Sequence, residues 1–197
     1  MNKTELKIAE NHKILHKGLE HKREGEGMNA KKWDIYVYGD GNIDIVIPGV
    51  EKFPEPGQED EVPVMETFVG GGAALFTLGV GKLGLHPVFQ GEVGDDCYGE
   101  LIRNKFRESH VDDSLLAVSK ELKTGISLSF TNEKDRSFLT YRGTNEKISI
   151  SHVDVEKVKD AAHIHVTGYA GSINHDEYLK LLKKIKTETQ ATVSFDV

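Results

Sequence analysis

Cys97 is the only cysteine among 197 residues, so no disulfide can close within the chain. A reducing, cytoplasmic setting is the expected one. Long apolar runs are missing too: none approaches the roughly 20 residues of a membrane-spanning helix. The lysine-bearing N-terminus is not followed by the unbroken apolar stretch of a secretory signal. There is no internal repeat and no low-complexity tract. Positive charge is also scarce, the chain carrying a net charge of -7. Outside residues 1–33 there are 17 basic and 27 acidic residues, and a body this acidic repels phosphate, which argues against a nucleic-acid partner. With 38% hydrophobic and 29% charged residues, the remainder suits one domain with a real core.

Residues 1–33 differ from the rest, with eight Lys/Arg against five Glu. Alternating Lys and Glu describe a solvated helix, on which Leu6, Ile8, Ile14, Leu15 and Leu19 make a weak stripe. The segment ends in Arg23-Glu24-Gly25-Glu26-Gly27 before Met28. Purine-rich codons encode such a run, as a translated ribosome-binding site does. Met28 is therefore the expected native start, residues 1–27 are expected to be an upstream extension without a folded role, and 1–33 as a whole reads as a charged N-terminal extension.

From Trp33 onward strands and helices alternate. Asp34–Gly39 reads as a strand, and Ile43–Ile47 as its extension or a neighbour. Glu61–Val69 reads as an edge strand because it contains Pro63. A helix follows over residues 72–83, then a buried strand at Pro87–Gly91. Asp95 and Asp96 open a helix whose apolar face is Tyr98, Leu101, Ile102 and Phe106. Ile126, Leu128 and Phe130 alternate with serines and turn back through Asn132–Asp135 into Ser137–Tyr141, a hairpin. Ser151 with Asp154, and Asn174 with Glu177, resemble capping boxes for two more helices, the second striped by Tyr178, Leu181, Leu182 and Ile185. Strands are expected at His163–Thr167 and Ala191–Phe195. The pattern predicts a doubly wound α/β sheet with a β appendage.

The stretch VGGGAALFTLGVGKLG invites nucleotide readings that its context denies. Gly79-Val80-Gly81-Lys82-Leu83-Gly84 spells G-x-G-x-x-G, but it follows a helical stretch, whereas a dinucleotide fingerprint sits between strand and helix. Leu83 stands where a phosphate loop needs Ser or Thr for magnesium. The true strand-to-helix turn is Val69-Gly70-Gly71-Gly72-Ala73. Its bare backbone can approach a ligand, and the amides of the helix start can donate to the ligand's oxygens; alternatively it is a tight turn packed with small residues. Gly39-Asp40-Gly41-Asn42-Ile43-Asp44 ends the first strand, where open α/β sheets bind ligands. Asn42 and Asp44 share a face on extended backbone, an amide and a carboxylate suited to vicinal hydroxyls.

The segments GDGNIDIVIPGVEKFPEPGQ, GGGAALFTLGVGKLG, VFQGEVGDDCYGELI and TGISLSFTNEKDRSFLTYRGTNEKIS occur in an order that resembles the N-terminal part of a ribokinase-like (PfkB-type) carbohydrate kinase, over residues 34–197. The resemblance implies a ribokinase-like doubly wound α/β/α sheet with a β-sheet lid near 43–50, 61–69 and 126–142. It implies that Asn42, Asp44, Gly70 and Gly71 hold a sugar, that the lid closes over it, and that the lid is a surface for a homodimer. Arg136, Tyr141, Arg142 and Asn145 are candidate lid contacts, and Gly94-Asp95-Asp96 and Gly99 are scaffold. The implied reaction moves the γ-phosphate of ATP, with Mg2+, to a hydroxyl of a sugar or nucleoside.

Two departures stand out. Leu75 occupies the position where the family carries a sugar-binding asparagine, which points to an acceptor with fewer hydroxyls or with an apolar base. The family's second signature, a D-T-x-G-A-G-D-like segment bearing the anion hole and catalytic base, is absent from the 197 residues. The base is expected beyond Val197, so the chain as given is expected to be truncated before the ATP-binding part, to bind neither ATP nor Mg2+ well, to lack turnover and to be poorly soluble. A nucleoside kinase and a non-catalytic sugar-binding or dimerising module are the rival readings. His163 and His165 share a strand face, but no cysteine or carboxylate pattern completes a metal site, and none is expected.

Overall fold

The computed structural model describes residues 31–167 and 175–196. The proposed start at Met28 and the Asn174 cap lie outside them. Nine strands, four α-helices and two 3-10 turns are present among the described residues.

Strand β1 (Trp33–Tyr38) is the centre of a five-stranded parallel sheet in the order β5-β4-β1-β8-β9. It pairs with β4 (Pro87–Gly94) through Ile35 and Pro87, and with β8 (Ala161–Val166) through Ile35 and His163. β5 (Leu116–Ser119) and β9 (Thr192–Phe195) complete it. Strand alternation sends β1 side chains into two cores. Tyr36 and Tyr38 join Ile150, Val158, Ile164 and Ile185 on one face. Ile35 and Val37 join Ala73, Phe89, Ile102 and Phe106 on the other.

Helices α1 (Gly72–Lys82) and α2 (Cys97–Glu108) cover the second face, and the short α3 (Val155–Val158) and α4 (His175–Glu188) cover the first. The expected stripes are there: Ile102 and Phe106 of α2 and Ile185 of α4 are fully buried, and Tyr178 and Leu181 of α4 are buried beside it. Asp96 caps α2, its side chain accepting from the Gly99 N–H. Asp154 caps α3 directly, and Ser149 rather than Ser151 caps the 3-10 turn Ile150–His152.

Ile43–Ile47 does not extend β1. Gly39 and Gly41 flank a turn, and β2 (Asn42–Pro48) enters a second sheet, ordered β3-β2-β6-β7. There it lies antiparallel to β3 (Glu66–Gly70) and parallel to β6 (Gly125–Thr131), which forms the predicted hairpin with β7 (Arg136–Tyr141). Asn132 sets that turn, its Oδ1 accepting from the N–H groups of Lys134 and Asp135. β3 is an edge strand, but it starts at Glu66, so Pro63 precedes it. β4 runs three residues past the expected end at Gly91.

Candidate acceptor site between the two sheets

β2 has strict alternation: Ile43, Ile45 and Ile47 are buried in the core shared with α1 and α2, leaving Asn42 and Asp44 on the opposite face. The Asn42 Nδ2 donates to Asp44 Oδ1 at 2.7 Å. Burial pushes the Asp44 carboxyl above its usual range; the Asn42 amide counters this, and the Asp40 charge adds to it. The same face carries Ser127 of β6 and Thr140 of β7 in register with Asp44.

Gly70 pairs with Asn42, and a Cβ there would stand 2.3 Å from the Asp44 carboxylate. Gly71, at φ +92°, would bring a Cβ within 2.8 Å of the Asp40 carbonyl oxygen and 2.9 Å of Asn42 Oδ1. Both positions therefore exclude a side chain for reasons of space, and Gly71 also for reasons of backbone. The start of α1 does not offer its amides freely. Asp40 takes them: Gly72 N–H donates to Oδ2 and Ala73 N–H to Oδ1, each at 3.1 Å, and Ala74 N–H donates to the Asp40 carbonyl at 3.0 Å. This corrects the expectation that the amides of the helix start face a ligand. A carboxylate 32 residues earlier satisfies them and the positive end of the helix together.

A cavity of about 630 Å³ opens beside these groups, within the usual size of small-molecule sites. Asp40, Asn42, Asp44, Gly71 and Thr167 line it, together with Tyr141, Arg142 and Asn145. Gly70 lies behind Asp44. Arg136 is at the far end of β7, paired with Thr131 beside the turn, with its guanidinium 5.8 Å from the Phe138 ring, and it is not among the cavity walls. Five strand residues separate it from Tyr141, roughly 17 Å at strand rise. Leu75 is 52% exposed on α1 and also stands outside the walls. Asp40, Thr140, Thr167 and Tyr178 line the cavity without having been singled out in the sequence. Only for Asp40 was a signal available, its place directly after the strand.

His163 and His165 do face one way. The Ser194 hydroxyl lies 2.7 Å from His163 Nε2 and 2.6 Å from His165 Nδ1, and the His165 ring stacks on Phe76. Burial holds both imidazoles below their usual range. Among the described residues no three His, Cys, Asp or Glu side chains gather to hold a metal ion.

The family description "pfkB family carbohydrate kinase" matches residues 32–196. The chain belongs to the pfkB carbohydrate kinase family. It is 28% identical over 147 residues to a 5-dehydro-2-deoxygluconokinase of Shouchella clausii, covering 73% of this chain and 44% of that one. It is 27% identical over 145 residues to fructokinase-1 of Oryza sativa, covering 69% and 43%. In structure it is similar to an Arabidopsis thaliana ribokinase complexed with ribose and ATP, with a TM-score of 0.69 and 22% identity over 84% of this chain and 53% of the ribokinase. The chain thus spans about half the length of the curated relatives it matches. Among the described residues, no helix of this pfkB-family chain is long and apolar enough to cross a membrane.

Proposed function

We propose that these residues form the acceptor-binding side and lid of an ATP-dependent carbohydrate kinase. The observation that carries the reading is the Asn42–Asp44 pair, set on a strand face against glycines that admit no side chain and open to a cavity of about 630 Å³. A carboxylate with two oxygens accepts hydrogen bonds from neighbouring hydroxyls, and Asn42, its Nδ2 engaged by Asp44, keeps Oδ1 to accept another. Ser127, Thr140, Tyr141 and Asn145 then surround the sugar from the lid side. Closure of this lid excludes water, so that phosphate is transferred to the sugar and not to water.

In this reading Asp40, engaged by α1, and Asp44, engaged by Asn42, are not assigned to ATP or magnesium. When bound, ATP supplies the phosphoryl group, and we place it on a segment like the D-T-x-G-A-G-D signature.

The cavity's apolar groups favour a second reading, a nucleoside acceptor. Ile126, Phe138, Tyr141, Ile148 and Ile150 line the same cavity as the polar groups, and a base could lie against them. Leu75, outside the walls, is not the residue that would meet it.

Calorimetry with D-fructose, D-ribose, D-gluconate and adenosine tests both. Binding of at least one is expected, weakened about tenfold or more in Asp44→Asn, since a lost hydrogen bond to a charged group is worth about 1.5–3 kcal/mol. Binding of adenosine alone selects the nucleoside reading. Equal affinity in wild type and Asp44→Asn contradicts the assignment.

A further inference from the structure

The lid-side wall of the cavity continues from the hairpin into a segment without a sheet of its own. Asn145 and Glu146 lie in the 3-10 turn Gly143–Lys147, and Ile148 and Ile150 follow it. At its front the segment is tied where Thr144 N–H donates to the Lys123 carbonyl at 2.9 Å. At its rear one core side chain holds it. The Tyr38 hydroxyl, on a residue only 4% exposed in β1, donates to the Ser149 carbonyl at 2.5 Å and accepts the Ser149 N–H at 3.0 Å. Further on, Tyr36 bonds to the Gln90 side-chain oxygen and accepts the Asp154 N–H, and Gln90 Nε2 donates to the His152 carbonyl at 2.8 Å.

Packing holds the rear of this wall, where Ile150 is buried in the core, but less so its middle. Behind it lies a second cavity of about 150 Å³, bordered by Tyr38, Gln90, Thr144, Lys147 and Ile148, so Ile148 borders both cavities. Thr144 Oγ1 is buried without a hydrogen-bond partner among the described residues. A close-packed wall transmits its position through contacts; one with space on both sides takes it from the hydrogen bonds at its ends. A hydroxyl bonded to both the N–H and the C=O of one residue fixes the orientation of that residue as well as its place.

We propose that Tyr38 is a positioning residue for the acceptor site: its clamp on the Ser149 backbone sets where Asn145–Ile150 stands in the cavity it lines together with Asn42 and Asp44. The proposal rests on the reading that the larger cavity takes the acceptor. Tyr38 is not among that cavity's walls and acts only through Ser149. Burial pushes the Tyr38 hydroxyl up to about 12, against the lowering by the Ser149 backbone, so the clamp keeps its proton across the ordinary pH range.

The test is Tyr38→Phe in the full chain, which keeps the ring and removes the clamp. Exchange of the Ser149 amide is expected to speed up about tenfold and the Asn145 side-chain NMR signals to move. Affinity for whichever of D-fructose, D-ribose, D-gluconate or adenosine binds wild type is expected to fall about tenfold, the equivalent of one neutral hydrogen bond. Tyr36→Phe releases Asp154, beyond the wall, and is the control: it loses comparable thermal stability while the Asn145 signals stay in place. Tyr38→Phe with lowered thermal stability but unmoved Asn145 signals assigns Tyr38 to folding alone and overturns the proposal. So does an equal displacement of those signals in Tyr36→Phe. Failure of every probe to bind wild type removes the acceptor assignment of the cavity, and amide exchange and Asn145 signals then decide the clamp by themselves.

Discussion

Five of the six residues of β1 are buried, whereas all six residues of β7 are exposed. Both strands are apolar and aromatic in much of their length, WDIYVY against RSFLTY, so composition does not separate them. Position does. β1 has a parallel neighbour on each side and helices over both faces, while β7 is the outer strand of a sheet whose inner strands, β2 and β6, already meet the core. The difference is one of burial: the parallel sheet is covered on both faces, whereas the outer strand of the second sheet leaves its side chains exposed.

The largest effect expected from this contrast is on the core side. Phe106→Ala removes a fully buried ring that packs on Phe89 and should cost about 3–5 kcal/mol in urea unfolding. A loss below about 1 kcal/mol would mean that the parallel sheet is not where the stability lies.

An intermediate effect is expected at the junction of the two regions. Asp96 accepts from Gly99 N–H at 2.9 Å, from Thr124 N–H at 2.9 Å and from Thr124 Oγ1 at 2.8 Å, linking the start of α2 to the residue before β6. Asp96→Ala should destabilise by about 2 kcal/mol, a lost cap plus unpaired neighbours. Burial pushes the Asp96 carboxyl up, but donations from Thr124 and Gly99 outweigh it and hold it below the usual 3.8. A depressed carboxyl stabilises above its unfolded value and loses that contribution as the pH falls through its folded one. The gap between wild type and Asp96→Ala should therefore narrow below pH 3.8 in acid unfolding curves; a constant gap assigns the cost to something other than the charge.

The smallest effect on stability belongs to the lid. Leu139, 60% exposed on β7, is neighboured by the exposed Phe138 and Tyr141. Leu139→Lys should change unfolding free energy by less than about 1 kcal/mol. If two copies join through this face, as proposed for the lid, sedimentation of wild type shows a dimer that Leu139→Lys splits. A monomeric wild type removes the dimer proposal, and a large stability loss would erase the contrast between the sheets.

Much of the scaffold was legible in the residues. Tyr98, Leu101, Ile102 and Phe106 announced one helix, and Ile43, Ile45 and Ile47 the buried face of a strand, because hydrophobic period follows local backbone geometry. β5 was missed: four residues with only Leu116 and Ser119 buried leave no alternation to read. The pattern alone left open whether Ile43–Ile47 extends β1 or pairs elsewhere, since a turn changes direction without changing the pattern that follows it; the family resemblance placed it in a separate sheet with 61–69 and 126–142, which is where β2 lies. At the site, Asn42, Asp44 and Gly71 could be singled out from spacing and family resemblance, and the structure brings them to one cavity.

By itself the sequence determined which stretches are helix or strand, which faces are apolar and where bare glycine backbone is available, for these depend on neighbours a few positions away. Only the tertiary structure decided that Asp40 takes up the amides of α1 and that Tyr38 grips Ser149. Those partners lie 32 or 33 and 111 residues apart, and no local periodicity encodes which distant loops the sheets bring face to face.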